Sequence, residues 1–311
     1  MSTFCGSFGI NTKVGFAASG AIDAGLVTAA TRIEVLGENL QFSDQLVQGK
    51  GITGSVNPVN AHLREGQRLV SGGFVMEIGP NQLAPWIRAI CGNTAANETK
   101  ESIDLIPFDI TVSRDQVVHG YRHCIIQQAV IRGRSNPQDP DDQIMQLALN
   151  FMGVEEVSTS FPALTLPSGD TLFWLVGDSE LSVGGSSLPV ISFDITIRNQ
   201  IQPLFRNQLT PGCFRSLGRD VTLEVQVPYS TASAGAMFGD NDADVAINLD
   251  LVSTNLPASF NGYSTSFSFP TMRRISKEAS TRGRGEIPLV ATYRSFQDGI
   301  STTMTITNAV T

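Results

Sequence analysis

Two histidines and a cysteine stand close together at a spacing that would suit a metal site on a helix. His119 and His123 are four residues apart, and Cys124 follows directly. Gly120 interrupts them, and the run HGYRHCII favours a strand, on which residues four apart lie about 13 Å from each other at roughly 3.3 Å per residue. Because zinc binds histidine nitrogen at about 2 Å, that separation is too large for one ion. We therefore expect no metal site here.

Two further motifs match a ligand-binding pattern by letter and fail in context. GKGITG (residues 49–54) has the glycine spacing of a dinucleotide loop, but SVNP follows where the pyrophosphate would need the N-terminus of a helix. The three aspartates within residues 240–244 begin like a calcium loop, yet Val245 stands where glycine is required and Leu251 where glutamate is required. With no serine–histidine–aspartate arrangement or nucleophile elbow, the sequence predicts no enzyme, no catalytic residue and no cofactor.

The composition indicates a folded, acidic protein. Its 311 residues carry 21 lysines and arginines against 29 aspartates and glutamates, a formal charge of −8, and 41% of them are hydrophobic. The hydrophobic content suffices for a core, whereas the acidic balance argues against a protein that grips nucleic-acid phosphates. The cysteines have no paired spacing, and no signal peptide or membrane span is evident. We expect a soluble protein made in the cytosol.

One strand and one helix organise this chain. Residues 68–78 alternate like a strand, and the apolar residues from Leu83 to Ile90 then recur at helical spacing. A helix over about 82–91 places Pro85 in its first turn and Gly92 at its C-terminal cap. At least ten candidate strands separated by turn residues cover the remainder, so the sequence predicts a mainly β fold, a sandwich or partial barrel with one flanking α-helix. Among these strands are residues 170–176, 188–201, 218–229 and 245–252.

A weak internal repeat suggests that the chain is duplicated. The strand ending in proline at residues 72–80 returns at 219–228, and residues 143–153 resemble 285–295 in layout. We expect two tandem β modules, although residues 230–245 make a poor helix and leave the equivalence of the two halves open. The modules are residues 1–160, with a long unpatterned loop at 37–67, and residues 161–311.

Five motifs, taken in their order along the chain, carry a resemblance to a known family. They are TRIEVLGENL (31–40), KGITGSV (50–56), LREGQRLVSGGFVMEIGPNQLAPWIRAICG (63–92), FDITIRNQI (193–201) and GRDVTLEVQVPY (218–229). Together they resemble the major tail tube proteins of bacteriophages with long, non-contractile tails. The resemblance extends from about residue 31 to the end of the chain.

The resemblance implies a structural virion protein that self-assembles. Its β-sandwich modules would join into rings, of three copies with pseudo-sixfold symmetry or of six copies, and the rings would stack into a tail tube for DNA ejection. The tape-measure protein and double-stranded DNA would pass through the bore without specific binding, and other tail proteins would meet the ends. The protein would have no membrane partner and would reside in the virion tail after synthesis in the host cytoplasm.

Charged residues on predicted arms are candidates for contacts between copies. The unpatterned stretch 37–67 is the first such arm, with 132–143 and 277–286 after it. A solvated surface role is an equal alternative for these charges. The candidate contact residues are Arg64, Glu65, Arg68, Arg282 and Arg284.

Three alternatives stay open. Another tail component of the same fold, a terminator or hub, would differ in its copy number per virion. A monomeric β-sandwich binding module would need an exposed aromatic platform, although both tryptophans stand in apolar runs. A β-rich hydrolase would show converging titratable groups in a deep pocket.

Overall fold

The computed structural model describes most of the chain between Thr12 and Ala309. The described segments are residues 12–20, 25–27, 31–48, 63–92, 98–100, 105–114, 117–135, 143–160, 173–238, 244–252, 263–279, 287–296 and 304–309.

Strands dominate these segments, which confirms the prediction of a mainly β fold. Two α-helices accompany them, and neither helix of the described segments is long and apolar enough to cross a membrane. The helices are α1 (Pro80–Cys91) and α2 (Thr231–Phe238). The strands are β1 (Thr12–Ala18), β2 (Thr31–Ile33), β3 (Gly37–Glu38), β4 (Gln41–Gln48), β5 (Leu63–Glu77), β6 (Glu98–Lys100), β7 (Phe108–Arg114), β8 (Val117–Arg134), β9 (Gln146–Gly153), β10 (Glu155–Ser158), β11 (Ser179–Val183), β12 (Ser186–Leu188), β13 (Ser192–Leu204), β14 (Cys213–Pro228), β15 (Val245–Val252), β16 (Ser264–Ala279), β17 (Pro288–Ser295) and β18 (Thr305–Ala309).

A first sheet covers one side of the N-terminal half. Its antiparallel strands lie in the order β2–β1–β7–β8–β10. The N-terminal half of β8 belongs to this sheet. From Ile125 onward the same strand pairs in the second sheet, with a bulge at Gln127, so β8 connects the two layers.

A second, larger sheet runs through both halves of the chain. Its antiparallel order is β4–β5–β9–β8–β13–β14–β17–β16, and β16 pairs further with β15 and β18. The sheet is open. Among the described strands, β3 and β4 have β5 as their neighbour on one side and form an outer edge.

Helix α1 fills the space between the two sheets in the N-terminal half. The fully buried Trp86 ring lies 4.6 Å from Phe16 and 5.6 Å from Phe108, both in the first sheet. It lies 5.5 Å from Phe74 in the second sheet. These aromatic contacts and the buried stripe of α1 make the sandwich core, as the apolar spacing predicts.

The predicted helix is present and starts two residues early. Gly79 is the N-cap and Pro80 occupies the first helical position, where its missing N–H costs nothing. Pro85 therefore lies inside the helix and not in its first turn. At the other end Gly92 adopts the left-handed conformation with φ 75°, and its N–H donates to the carbonyl oxygen of Arg88 at 2.8 Å, which confirms the predicted cap.

The pairing of strands in the N-terminal half recurs in the C-terminal half. Seven ladders of the N-terminal half have a counterpart in the C-terminal half. The corresponding strands are β1 and β11, β2 and β12, β4 and β13, β5 and β14, β7 and β15, β8 and β16, β9 and β17, and β10 and β18. Even the bulge at Gln127 has a counterpart at Ile275, in the β16–β17 ladder. Each half also places a helix directly after its long central strand.

The predicted loop over residues 37–67 is wrong for the part that the structure describes. Strands β3 and β4 and the start of β5 lie within it, and residues 49–62 fall outside the described segments. Strand β4 lies at the edge of the sheet, and its residues Gln41, Ser43 and Asp44 are exposed and polar. Its sequence therefore lacks the alternation of apolar and polar residues that would indicate a strand.

Two other predictions need correction. The predicted strand over 170–176 is, in its described part, a single bridge at Leu175 followed by a 3-10 turn at Val176–Asp178. Residues 230–245, a poor helix by composition, begin with α2. Ser230 and Ser233 cap it reciprocally, because each backbone N–H donates to the hydroxyl of the other serine, at 2.7 and 3.0 Å.

Candidate assembly surface

The ladder between β8 and β13 joins the two halves of the chain. Ile197 lies opposite Ala129, and Arg198 opposite Gln128. Ile197, Ala129 and Ile195 are fully buried on the side of the sheet that faces α1. Burial of these apolar side chains makes the junction a continuous part of the core.

A buried polar cluster fastens α1 to this junction. Asn199, which is 3% exposed, donates from Nδ2 to the carbonyl oxygens of Ile90 at 3.2 Å and of Ile126 at 3.0 Å. Its Oδ1 accepts from Nε of Arg219 at 2.7 Å, and Nη2 of Arg219 donates to the Ile90 oxygen at 3.1 Å. Ile90 belongs to the last turn of α1, where the helix dipole favours a cation. The cluster therefore satisfies both a helix end and a strand edge.

The outer edge formed by β3 and β4 has the same layout as β13. Arg219 stands twelve residues before Thr231, the first residue of α2, and Arg68 stands twelve residues before Pro80, the first residue of α1. Arg219 is opposite Asn199 in its hairpin, and Arg68 is opposite Asp44. Asp44 and Arg68 therefore correspond to the Asn199–Arg219 pair.

Asp44 and Arg68 form an ion pair at the surface. Nε of Arg68 lies 2.9 Å from Oδ1 of Asp44, and its Nη2 lies 2.7 Å from Oε2 of Glu65. The Asp44 side chain is 60% exposed, whereas Asn199 is covered by α1 and β8. The same structural position is thus buried inside the chain and open at its edge.

The C-terminal half of β16 corresponds to the part of β8 that receives β13. Arg274 directly precedes the bulge at Ile275, as Ile126 precedes the bulge at Gln127. In this half β16 has β17 as its described neighbour, whereas β8 has both β9 and β13.

Exposure separates these two counterparts as well. Residues Ser276–Ala279 of β16 are exposed, whereas Ala129 and Ile131 of β8 are buried beside β13. The described sheet therefore ends in two edges that match the two sides of its own internal junction.

The structure brings together part of the predicted contact set. Glu65 and Arg68 lie in one ion-pair network, and Arg64 is exposed on the same strand. Arg282 and Arg284 lie outside the described segments. Asp44, Asn199 and Arg219 were not predicted, because the equivalence of Arg68 and Arg219 becomes visible only once α2 is placed.

The outer face of the β8–β13 junction holds a polar depression of about 240 Å³ lined by Arg132, Arg134, Asp194 and Glu224 among others. Its volume is below the roughly 300–1,000 Å³ of ordinary ligand pockets. Burial raises the pKa of the Asp194 carboxyl, and the two arginines oppose that shift. This arrangement indicates a paired polar surface on the sheet.

His119 and His123 lie on strand β8, as predicted. Nδ1 of His119 is 2.5 Å from Oε1 of Glu156, whereas the backbone N–H of His123 donates to Oδ1 of Asp109 at 2.8 Å. Cys124 is buried, which raises the pKa of its thiol. In the described segments no three histidine, cysteine, aspartate or glutamate side chains are placed to hold a metal ion.

Comparison with known proteins adds one finding. Residues 16–295 match the model of a family described as "Phage tail tube protein". No curated protein matches the chain.

Proposed function

The chain belongs to the phage tail tube protein family, and from this premise we propose that its copies self-assemble into stacked rings that form the tube through which genomic DNA leaves the capsid. The family makes the chain a structural component of the virion tail. The proposal extends to a long, non-contractile tail whose bore holds the tape-measure protein before DNA passes, and to contacts with other tail proteins at both ends of the tube.

The open second sheet carries this proposal. One of its edges, β3–β4, has the layout of β13, and the other, the C-terminal half of β16, has the layout of β8. Uncovered sheet edges expose N–H and C=O groups that favour aggregation, and soluble proteins ordinarily cover or block them. Neighbouring copies on either side, paired as β8 pairs β13, would cover both edges by a contact that the chain already makes once.

We further propose that residues 1–160 and 161–311 are tandem modules. The recurrent ladders, the two equivalent bulges and the two equivalent arginines support this division. Each copy then contributes one internal junction and shares one junction with the next copy. Three copies give a ring of six modules, so the ring has threefold symmetry and pseudo-sixfold shape.

In this ring we assign the bore to the face of the second sheet that points away from the helices. Its arginines lie beside carboxylates: Nε of Arg132 is 4.0 Å from Oδ1 of Asp194, and Nε of Arg294 is 2.7 Å from Oδ1 of Asp220. Glu224 is exposed between them on β14. Cations that are already paired with carboxylates give DNA phosphates little to bind, which suits a conduit.

Negative-stain electron microscopy of the purified chain tests the proposed function. We expect rings with an open bore or tubes of stacked rings, with six lobes in end view. A particle that stays monomeric over the accessible range of protein concentration, or a closed globular dimer, contradicts self-assembly into a tube.

A further inference from the structure

We propose, on the basis of the tube function above, that Asp44 and Arg68 of one copy contact Arg274, Lys277 and the C-terminal end of α2 in the next copy when β3–β4 adds to the edge of β16. The surface is thus a charged junction between copies, and its partner is a second copy of this chain. This junction between copies has the same strand register as the internal β8–β13 junction but different side chains.

The internal ladder sets the register of the contact. Arg198 of β13 lies opposite Gln128 of β8. The equivalent residues, found by counting from the paired arginines and the matching bulges, are Ser43 on β4 and Ser276 on β16. Ser43 of one copy therefore lies opposite Ser276 of the next.

The same equivalence places Phe42 of one copy opposite Lys277 of the next. Phe42 is half-buried, whereas its counterpart Ile197 is fully buried by the facing strand. The methylene groups of Lys277 in the next copy would cover the remaining exposed surface of Phe42, and its ammonium group would extend beyond the ring toward Asp44.

The side chains at the two junctions differ in a concerted way. Where the internal junction has Asn199, the edge has Asp44, and a carboxylate cannot donate to carbonyl oxygens as the amide does. The facing strand changes as well, because Arg274 and Lys277 of β16 replace Ile126 and the small Ala129 of β8. At the internal junction the amide of Asn199 faces apolar residues, whereas at the junction between copies the carboxylate of Asp44 faces two cations. The two open edges are therefore complementary in charge.

Arg274 is placed to receive Asp44. Its guanidinium donates to the carbonyl oxygen of Met237 near the C-terminal end of α2. The side chain therefore lies on the face of β16 that α2 covers, and Asn199 lies on the equivalent face of the internal junction beside α1. Asp44 of the next copy arrives on that face.

Arg68 has a parallel role at the helix end. Arg219 donates to the last turn of α1 through the Ile90 oxygen, and Arg68 occupies the equivalent position on β5. Beside a second copy its guanidinium faces the C-terminal end of α2, where the helix dipole favours a positive charge.

A disulfide test reads the register directly. In a background with Cys5→Ser and Cys213→Ser, we expect Ser43→Cys combined with Ser276→Cys to form disulfides between copies in assembled rings, because cross-strand Cα atoms lie about 4.5–5.5 Å apart. On a denaturing, non-reducing gel the bands end at three chains. Ser43→Cys with Glu278→Cys, two residues out of register, is the matched control and crosslinks at least tenfold more slowly.

The outcomes separate the two proposals. Rings without the Ser43–Ser276 crosslink, or with an equal rate for the Glu278 control, overturn this junction and leave the tube function standing. Failure of the unsubstituted chain to assemble overturns the tube function itself.

Charge reversal tests the chemistry of the junction. We expect Asp44→Lys and Lys277→Asp each to lower the assembled fraction at least tenfold at 0.15 M salt. The double variant should assemble measurably better than Asp44→Lys alone, but less well than the parent chain, because Arg274 still faces position 44. Glu180→Lys, an exposed reversal on β11, is the control and leaves assembly unchanged. Thermal unfolding of the unassembled variants confirms that each is folded. Single variants that assemble normally, or a folded double variant that does not recover, contradict the charged contact.

Discussion

Asn199 of β13 donates its side-chain amide to the carbonyl oxygen of Ile90, 109 residues earlier in the chain, at 3.2 Å. This hydrogen bond ties the second half of the protein to the end of the helix that fills the core of the first half. Together with the bond to Ile126 it makes one side chain the meeting point of a helix and two strands.

Removing that amide should destabilise the fold. We expect Asn199→Ala to lower the free energy of unfolding by about 2–3 kcal/mol, because it leaves buried carbonyl groups and the nearby guanidinium of Arg219 with fewer partners. The measurement is urea unfolding of the unassembled chain. Asn150→Ala, at an exposed position on β9, is the control and should change the value by less than about 0.5 kcal/mol. Equal effects of the two substitutions contradict a structural role for the cluster.

Two glycines should respond to alanine in opposite directions. A Cβ on Gly73 would lie 1.8 Å from the carbonyl oxygen of Leu149, so Gly73→Ala must push β5 and β9 apart and should prevent folding or cost more than about 3 kcal/mol. Gly235 lies in α2 with open space at its Cβ. Gly235→Ala should raise stability by about 0.5–1 kcal/mol through helix propensity. Circular dichroism and thermal unfolding compare the two, and a stable, unchanged Gly73→Ala chain refutes the close approach.

Trp86 offers a graded test of the core. Trp86→Ala should cost about 3–5 kcal/mol through the cavity between the two sheets. Trp86→Phe should cost much less, because phenylalanine keeps the ring contacts with Phe16 and Phe74 and removes an indole N–H that has no acceptor among the described residues. Chemical denaturation of both variants gives the ranking, and equal losses would show that ring packing does not set the effect.

The acid side of the stability profile should depend on His123. Burial lowers the pKa of this imidazole, and the nearby Arg122 lowers it further, while Asp109 opposes the shift. The unfolded chain therefore binds a proton more readily than the folded chain as the pH falls below about 6.5. Stability is present above that pH and is lost as the pH falls through the folded-state pKa.

Replacing His123 isolates this contribution. Its backbone has φ 50°, a conformation that asparagine tolerates, so His123→Asn keeps the bend. We expect the unfolding free energy of the variant to fall less steeply between about pH 6.5 and pH 5 than that of the parent chain. Parallel curves over this range would show that His123 does not titrate on unfolding.

The sequence predicts some parts of this fold well for physical reasons. The apolar stripe of α1 and its terminal Gly92 are local signals, and the helix is where they indicate. The predicted strand at residues 245–252 coincides with β15, because its burial alternates strictly between Ile247 and Leu251. Where one face of a helix or strand is buried and the other is exposed to solvent, the periodicity of apolar residues is enough to predict the element.

Other parts lie beyond local pattern. The edge strand β4 exposes too much of its surface to alternate, and α2 is too short to show a stripe. The pairing of Arg68 with Asp44 depends on the β4–β5 register, and that of Arg219 with Asn199 on the β13–β14 register. Register is a property of two strands at once, so the sequence shows the arginine and not its partner.

The mass of a single ring tests the central claim most directly. One chain has a mass of 33.3 kDa, so three times that mass, about 100 kDa, is the value we predict for the smallest closed ring in native mass spectrometry of the purified chain. In a ring of three, both open edges of every copy are paired with neighbouring copies, in the same way as β8 and β13 pair inside each copy. A chain that remains at the monomer mass, or a smallest closed ring that contains any number of chains other than three, would contradict the account.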